Sequence, residues 1–255
     1  MKHTSAQEIR LSCRTGEHTG TTRGVAVGYV QCNLVVLSAQ YVDDFFLYCE
    51  RNQKACPVLE VTDPGCPEAK RCAPGSDLRT DLPRYAIYRN GQRIEDATSI
   101  IDLWQDDSTA FLIGSGITFD WALQQANIPT DKHRWVLRSN IATEPAGIFH
   151  GPMVVTMRWL TPEHARQAAE ITARFPLNHG APIHMGDPTA IGVDMKNPIF
   201  GPPVTRVPQN LVPVFWACGV TPQEAGMRSK LDLMITHAPA HGFITDLRAK
   251  DLELT

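Results

Sequence analysis

Residues 30–62 read VQCNLVVLSAQYVDDFFLYCERNQKACPVLEVT, and three segments of different character follow one another within them. The run VQCNLVVL (30–37) is apolar enough for a buried strand, YVDDFFLYCERN (41–52) spaces its apolar residues as a helix does, and CPVLEVT (56–62) is a second short strand. A strand–helix–strand order predicts a sheet covered by helices, hence an α/β fold.

The same reading extends outward. Residues 62–83 are rich in Pro, Gly and Asp and are expected to form a long surface connection. In RYAIYRNGQRIED (84–96), Asn90-Gly91 fits a two-residue hairpin turn whose central positions both need positive φ. TAFLIGSGITFDWALQQANI (109–128) predicts a buried strand over Thr109–Ile113 and a helix over Thr118–Ile128, joined by Gly114-Ser115-Gly116. VPVFWACGVTPQEAG (212–226) repeats that joint: a strand ends at Cys218, Gly219 turns, Thr221 can cap and Pro222 suits the first helical position. Between them, GPMVVTMRWLTPEHARQAAEITARF (151–175) reads as strand then helix, with Thr161 as cap and Pro162 first in the helix. These elements predict a smaller inserted α+β domain over 131–204, with a main α/β domain formed by 1–130 and 205–255.

The chain has 255 residues, 43% hydrophobic and 20% charged, as a globular protein with a sizeable core has. Its formal net charge of -3 gives no electrostatic reason to expect a nucleic-acid partner. The opening MKHTSAQEIR lacks the apolar core of a secretory leader, and no apolar run reaches the ~18 residues of a membrane span. A cytoplasmic location without membrane attachment is therefore expected. Seven cysteines, an odd number without Cys-x-x-Cys spacing, are read as reduced thiols rather than a disulfide framework or a zinc site.

Chemistry is expected where glycine turns lead from strands into helices, because amide N–H groups converge there at the positive end of a helix dipole. Gly114, Ser115 and Gly116 at one joint and Cys218 and Gly219 at the other are the candidate wall of a carboxylate or oxyanion pocket. Ser115 suits an anion donor better than a nucleophile, since Gly-x-Ser-x-Gly is absent. Cys218 at a helix start could have a lowered pKa, but in VFWACGV a small buried residue is the plainer reading. NHGAPIHMGDP (178–188) puts two histidines and an aspartate on consecutive bends: His184 and Asp187 are an acid/base candidate, and His179 before Gly180 can cap a helix end. His237 and His241 have the spacing of a helical metal pair, but Pro239 between them removes the helix, leaving His237 as a reserve acid or base. Arg138 and Asn140 in VLRSNI share one face of a strand and could clamp a carboxylate.

The order of GYVQCNLVVL, CPVLEVTDPG, LRTDLPRYAIYRNG, GPMVVTMR, RFPLNHGAPIHMGDPTAIGVDM, VPVFWACGVTPQ and THAPAHGFITD resembles that of the bacterial hydro-lyase family related to mitochondrial D-glutamate cyclase. The resemblance runs from about Arg14 to Asp246. It implies a mixed α/β protein with a three-layer α/β/α main domain and a smaller two-layer domain. It also implies interconversion of D-glutamate and 5-oxo-D-proline with loss or gain of water, without an organic cofactor. Three segments depart from the family pattern. Ser115-Gly116-Ile117-Thr118-Phe119-Asp120 stands for Cys-Ser-Phe-Ser-Phe-Glu, Ile199-Phe200-Gly201-Pro202 for Asp-Phe-Gly-Asp, and Ala240-His241-Gly242 for Gly-His-Met. On this reading Arg138 and Asn140 hold the α-carboxylate, the 114–116 turn receives the oxyanion, and Asp187 orients His184. No metal is assigned, the partner is a small carboxylate, and assembly into a homo-oligomer stays open. Dehydration of a small hydroxy acid and non-catalytic binding of a small carboxylate are the alternatives.

Overall fold

A computed structural model describes residues 5–130 and 134–254, so the domain boundary read at residue 131 lies outside the described residues. The protein is mixed α/β and carries two sheets. The first half of the chain supplies α1 (Ala6–Arg14), β1 (Tyr29–Leu37), α2 (Val42–Arg51), β2 (Val58–Val61), β3 (Tyr85–Arg89), β4 (Gln92–Ala97), β5 (Thr109–Gly114) and α3 (Asp120–Gln125). The second half adds β6 (Trp135–Ala142), β7 (Pro152–Leu160), α4 (Pro162–Ala173), β8 (His184–Met185), β9 (Val212–Ala217), α5 (Thr221–Arg228), β10 (Met234–His237) and β11 (Phe243–Arg248).

The larger sheet runs β2-β5-β1-β10-β3-β4, with β11 also paired to β1, and every pairing in it is antiparallel. The strand–helix–strand unit of residues 30–62 is present, but β5 lies between β1 and β2 and runs against both. Alternation along β1 explains its unbroken apolar run. Val30, Cys32, Leu34 and Val36 enter one core, while Val35 and Leu37 enter another beneath Phe45, Tyr48 and Cys49 of α2. Gln31 and Asn33 share the face of Val35, so the amino-terminal half of that face is polar.

The far face of this sheet is covered largely by irregular backbone. Ala69, Cys72, Ala73, Leu78 and Leu82 pack against it, so residues 62–83 are a surface connection that buries its apolar side chains on the sheet while Asp63, Pro64, Lys70, Arg71, Pro74 and Gly75 stay exposed. Its polar backbone is held from inside, where the buried Glu60 carboxylate accepts the amides of Arg71 and Cys72 at 3.0 and 2.7 Å.

The smaller sheet runs β6-β7-β9-β8. The sequence reading assigned β9 to the main domain with the rest of 205–255, but β9 pairs with β7 over six residue pairs from Val155↔Ala217 to Leu160↔Val212. Its alternate residues Val214 and Trp216 are buried against α3 and α4, which gives it a core on this sheet and not on the other. Thr161 caps α4 by accepting the His164 amide, with Pro162 first in the helix. Asn90 and Gly91 make the hairpin turn with φ of 49 and 77°.

Candidate active site between the two sheets

β10 and β11 pair with the same edge of β1, one after the other, and the 238–242 turn between them interrupts the ladder. β5 ends beside that interruption, and β9 of the smaller sheet ends opposite. The two glycine turns therefore meet across Asn33. Its Nδ2 donates to the Gly114 carbonyl at 2.9 Å, and a Cβ on Gly219 would lie 1.9 Å from the same atom. The joints differ in detail from expectation. Thr118 precedes α3, its hydroxyl accepting the Gln31 amide, and α3 is shorter than read. Thr221 is the first residue of α5 rather than its cap, and its hydroxyl donates to the Cys218 carbonyl at 2.7 Å.

A cavity of about 470 Å³ opens between these turns, within the size range of small-molecule sites. Ser115, Gly116, Cys218, Gly219 and His237 line it, joined by Arg134, Arg158 and His179. Among the described residues no backbone carbonyl accepts the Gly116 or Gly219 amide. Burial pushes the Cys218 thiol up, so the lowered pKa considered for it is not found.

One wall is strongly positive. Arg158 on β7 and Arg134 just before β6 both pair with the single carboxylate of Asp120 at the start of α3, Arg158 at 2.8 Å. The Arg158 guanidinium stacks over Phe119 and Trp216, 5.2 and 5.3 Å from the ring centres. Burial pulls the Arg158 pKa down to about 9, still charged at neutral pH. Burial, with the charges of Arg158 and Arg23, holds Arg134 well below its ordinary value. Two cations thus share one anion in a desolvated place. Nε and Nη1 of Arg158 and Nε of Arg134 have no hydrogen-bond partner among the described residues. Buried donors in that state are costly, and a bound anion is the group that would satisfy donor and charge together.

Two buried histidines also line the cavity. His179 has left-handed backbone, φ 78°, at the end of a short 3-10 turn, as its reading as a cap requires, and its Nδ1 lies 3.1 Å from the Lys54 carbonyl oxygen. His237 ends β10 where the ladder is interrupted, so the Leu34 amide, left without a strand carbonyl, donates to its Nδ1 at 3.2 Å. The Gln223 side-chain amide lies 3.1 Å from the same nitrogen. Burial pulls both imidazoles down to about 4.

Other expected site residues lie elsewhere. Arg138 and Asn140 do share an exposed strand face, but the Arg138 fork is closed on Glu224, Nε to Oε1 2.8 Å and Nη2 to Oε2 3.0 Å. Asn140 packs over Gly192. Neither lines the cavity. His184 and Asp187 do not line it either, and they do not form a carboxylate–imidazole pair. His184 Nε2 meets the Asp187 backbone oxygen at 2.8 Å, while the Asp187 carboxylate caps the next turn through Thr189. Gly114 is needed for packing instead: a Cβ there would stand 1.8 Å from the Leu177 carbonyl oxygen. Gly114→Ala is expected to cost about 1–3 kcal/mol as an overpacked position, read as a lower urea midpoint at unchanged m-value.

Asp120, Arg134 and Arg158 are not among the residues the sequence reading places in the site, although a signal exists. Arg158 interrupts the apolar run MVVTMRWL, and a charge in a buried strand needs a partner. Among the described residues no three His, Cys, Asp or Glu side chains converge as a metal-holding group, and no helix is long and apolar enough to cross a membrane.

Residues 109–246, which include both glycine turns, both arginines and both histidines, match the D-glutamate cyclase family profile. Over 254 residues the chain is 50% identical to the "Putative hydro-lyase" of Geobacillus kaustophilus, covering 97% of this chain and 96% of that protein. It is 47% identical to the one from Stutzerimonas stutzeri, with the same coverage. The chain belongs to the D-glutamate cyclase family, and the relatives it matches bear the name hydro-lyase. A solved nitrogen repressor-like protein from Methanococcus jannaschii aligns with 91% of this chain and 92% of its own at 13% identity and a TM-score of 0.39.

Proposed function

We propose that the cavity binds D-glutamate and 5-oxo-D-proline and interconverts them with loss or gain of water. The observation that carries this reading is the Arg134–Asp120–Arg158 cluster, two buried cations sharing one anion beside a cavity of small-molecule size. Both compounds carry an α-carboxylate, and Arg158 and Arg134 together offer it charge and donors. This moves the clamp from Arg138 and Asn140 to the buried pair.

With the carboxylate held there, the carbon that exchanges oxygen for nitrogen is presented to the turns at Ser115-Gly116 and Cys218-Gly219. Their amides suit a developing oxyanion, a kind of interaction worth about 10²–10³ in rate per donor. Ring closure is intramolecular, so holding one substrate conformer supplies part of the barrier reduction. The departures at Ser115 and Asp120 keep a donor and an acid in those positions, with the shorter acid drawn into the arginine pair.

The test is proton NMR of the purified protein with each D-compound and, separately, with the L-forms. Interconversion of the D-forms is expected, and His184→Ala should retain turnover within about ten-fold, since general acid–base groups contribute 10²–10⁴ and His184 is outside the cavity. Absence of turnover in both directions would reject the cyclase reading. Line broadening without turnover would favour a carboxylate-binding module.

A further inference from the structure

The two buried histidines differ in what their Nδ1 atoms meet. At His179 the partner is the Lys54 carbonyl oxygen, which can only accept, so Nδ1 carries the proton and Nε2 keeps its lone pair. At His237 the partner is the Leu34 N–H, which can only donate, so Nδ1 keeps the lone pair and a neutral ring carries its proton on Nε2. Each tautomer is fixed by a main-chain group. Burial, which keeps both rings neutral near pH 7, completes the assignment. The hydrogen bonds of both rings run through Nδ1, and both side chains line the cavity. The His179 ring abuts the Ser115-Gly116 turn, its Cδ2 standing 3.7 Å from where a Gly116 Cβ would be.

We infer that His179 and His237 are an acid/base pair of opposite tautomers, His179 acting through an Nε2 lone pair as general base and His237 through Nε2–H as a neutral hydrogen-bond donor. The roles rest on the proposed cyclase chemistry and identify the groups that perform it. In the ring-opening direction, His179 Nε2 takes a proton from water as its oxygen forms a bond to the lactam carbonyl carbon. The carbonyl π electrons move onto oxygen, where His237 Nε2–H donates to the oxyanion without surrendering its proton. The oxyanion pair then re-forms the C=O bond as the C–N bond breaks with its electron pair going to nitrogen, which receives the proton from His179. The new carboxyl proton passes to the amine, leaving carboxylate and ammonium. Ring closure reverses each step. His237 thus does work that an imidazolium is not needed for, and Leu34 and Gln223 are positioning groups that hold its Nδ1.

The experiment is long-range ¹⁵N–¹H correlation NMR of the imidazole rings at pH 7, with His179→Gln and His237→Gln assigning the signals and serving in turnover assays. The expected spectra show a Nδ1–H neutral ring for His179 and a Nε2–H neutral ring for His237. His179→Gln is expected to lose about 10²–10⁴ in kcat, as removal of a general base does. His237→Gln, which retains an N–H donor, should keep more activity than His237→Ala. The same tautomer at both sites, a protonated ring at pH 7, or His179→Gln turning over within ten-fold would overturn the inference. Opposite tautomers in a wild-type protein that does not turn over either compound would overturn the cyclase reading instead, because the spectra need no substrate turnover.

Discussion

Arg158→Met is expected to lower kcat/KM for the D-substrates by about 10²–10⁴-fold, because hydrogen bonds to a charged group contribute roughly 1.5–3 kcal/mol each and two buried donors are lost. A carboxylate clamp is engaged before and during reaction, so most of the loss should appear in KM. Methionine occupies much of the space over Phe119 and Trp216, and Asp120 retains its pairing with Arg134, which limits the structural penalty. Arg158→Lys supplies the second comparison. It restores charge without the planar fork, so it should recover only part of the affinity. Steady-state kinetics of the two variants, with Tm measured alongside, decide the matter. A folded Arg158→Met enzyme with KM and kcat both within ten-fold of wild type would remove Arg158 from substrate binding.

What the sequence disclosed, and what it concealed, follows from the range of each signal. Local signals carried the hairpin at Asn90-Gly91, the Thr161-Pro162 helix start and the two glycine joints, because each depends on φ or on a cap formed within a few residues. The meeting of those joints was also foreseen, and Asn33 now supplies its structural cause. Long-range pairing was not legible. Nothing near Arg138 in the chain indicates that Glu224, 86 residues away, closes its fork, and nothing near Leu34 indicates that a histidine ring replaces a strand carbonyl. The segment NHGAPIHMGDP sets three polar side chains on consecutive bends, yet only its cap residue, His179, reaches the cavity. Gly180 helps explain why: the chain turns sharply there, Gly180 itself at φ 61°, and sends His184 onto the smaller sheet against Phe215. Residues 62–83 were legible only in part. Their Pro, Gly and Asp content describes irregular surface backbone correctly but says nothing about which of its side chains pack on the sheet.

The neutral histidines carry a consequence for stability that needs no substrate. Each has a folded-state pKa of about 4, against about 6.5 in an unfolded chain. Between those values the unfolded chain binds more protons than the folded one, so stability rises with pH across this window and is lost as pH falls from 6.5 towards 4. The shift corresponds to about 3 kcal/mol per ring, and the two together to a large fraction of the ~5–15 kcal/mol by which native proteins are stable. The groups that face them do not cancel the effect: Lys54 and His241 oppose protonation of His179 and His237, and the Lys54 carbonyl offsets the burial of His179 only in part. Urea unfolding at a series of pH values should therefore show a steep decline below pH 6.5, before most carboxylates titrate. His179→Gln or His237→Gln should each remove about half of that decline, whatever either substitution does to stability at pH 7. Profiles that run parallel to wild type across the window would mean that the rings become protonated in the folded protein at little cost, and the cavity could not then hold them as a neutral base and a neutral donor.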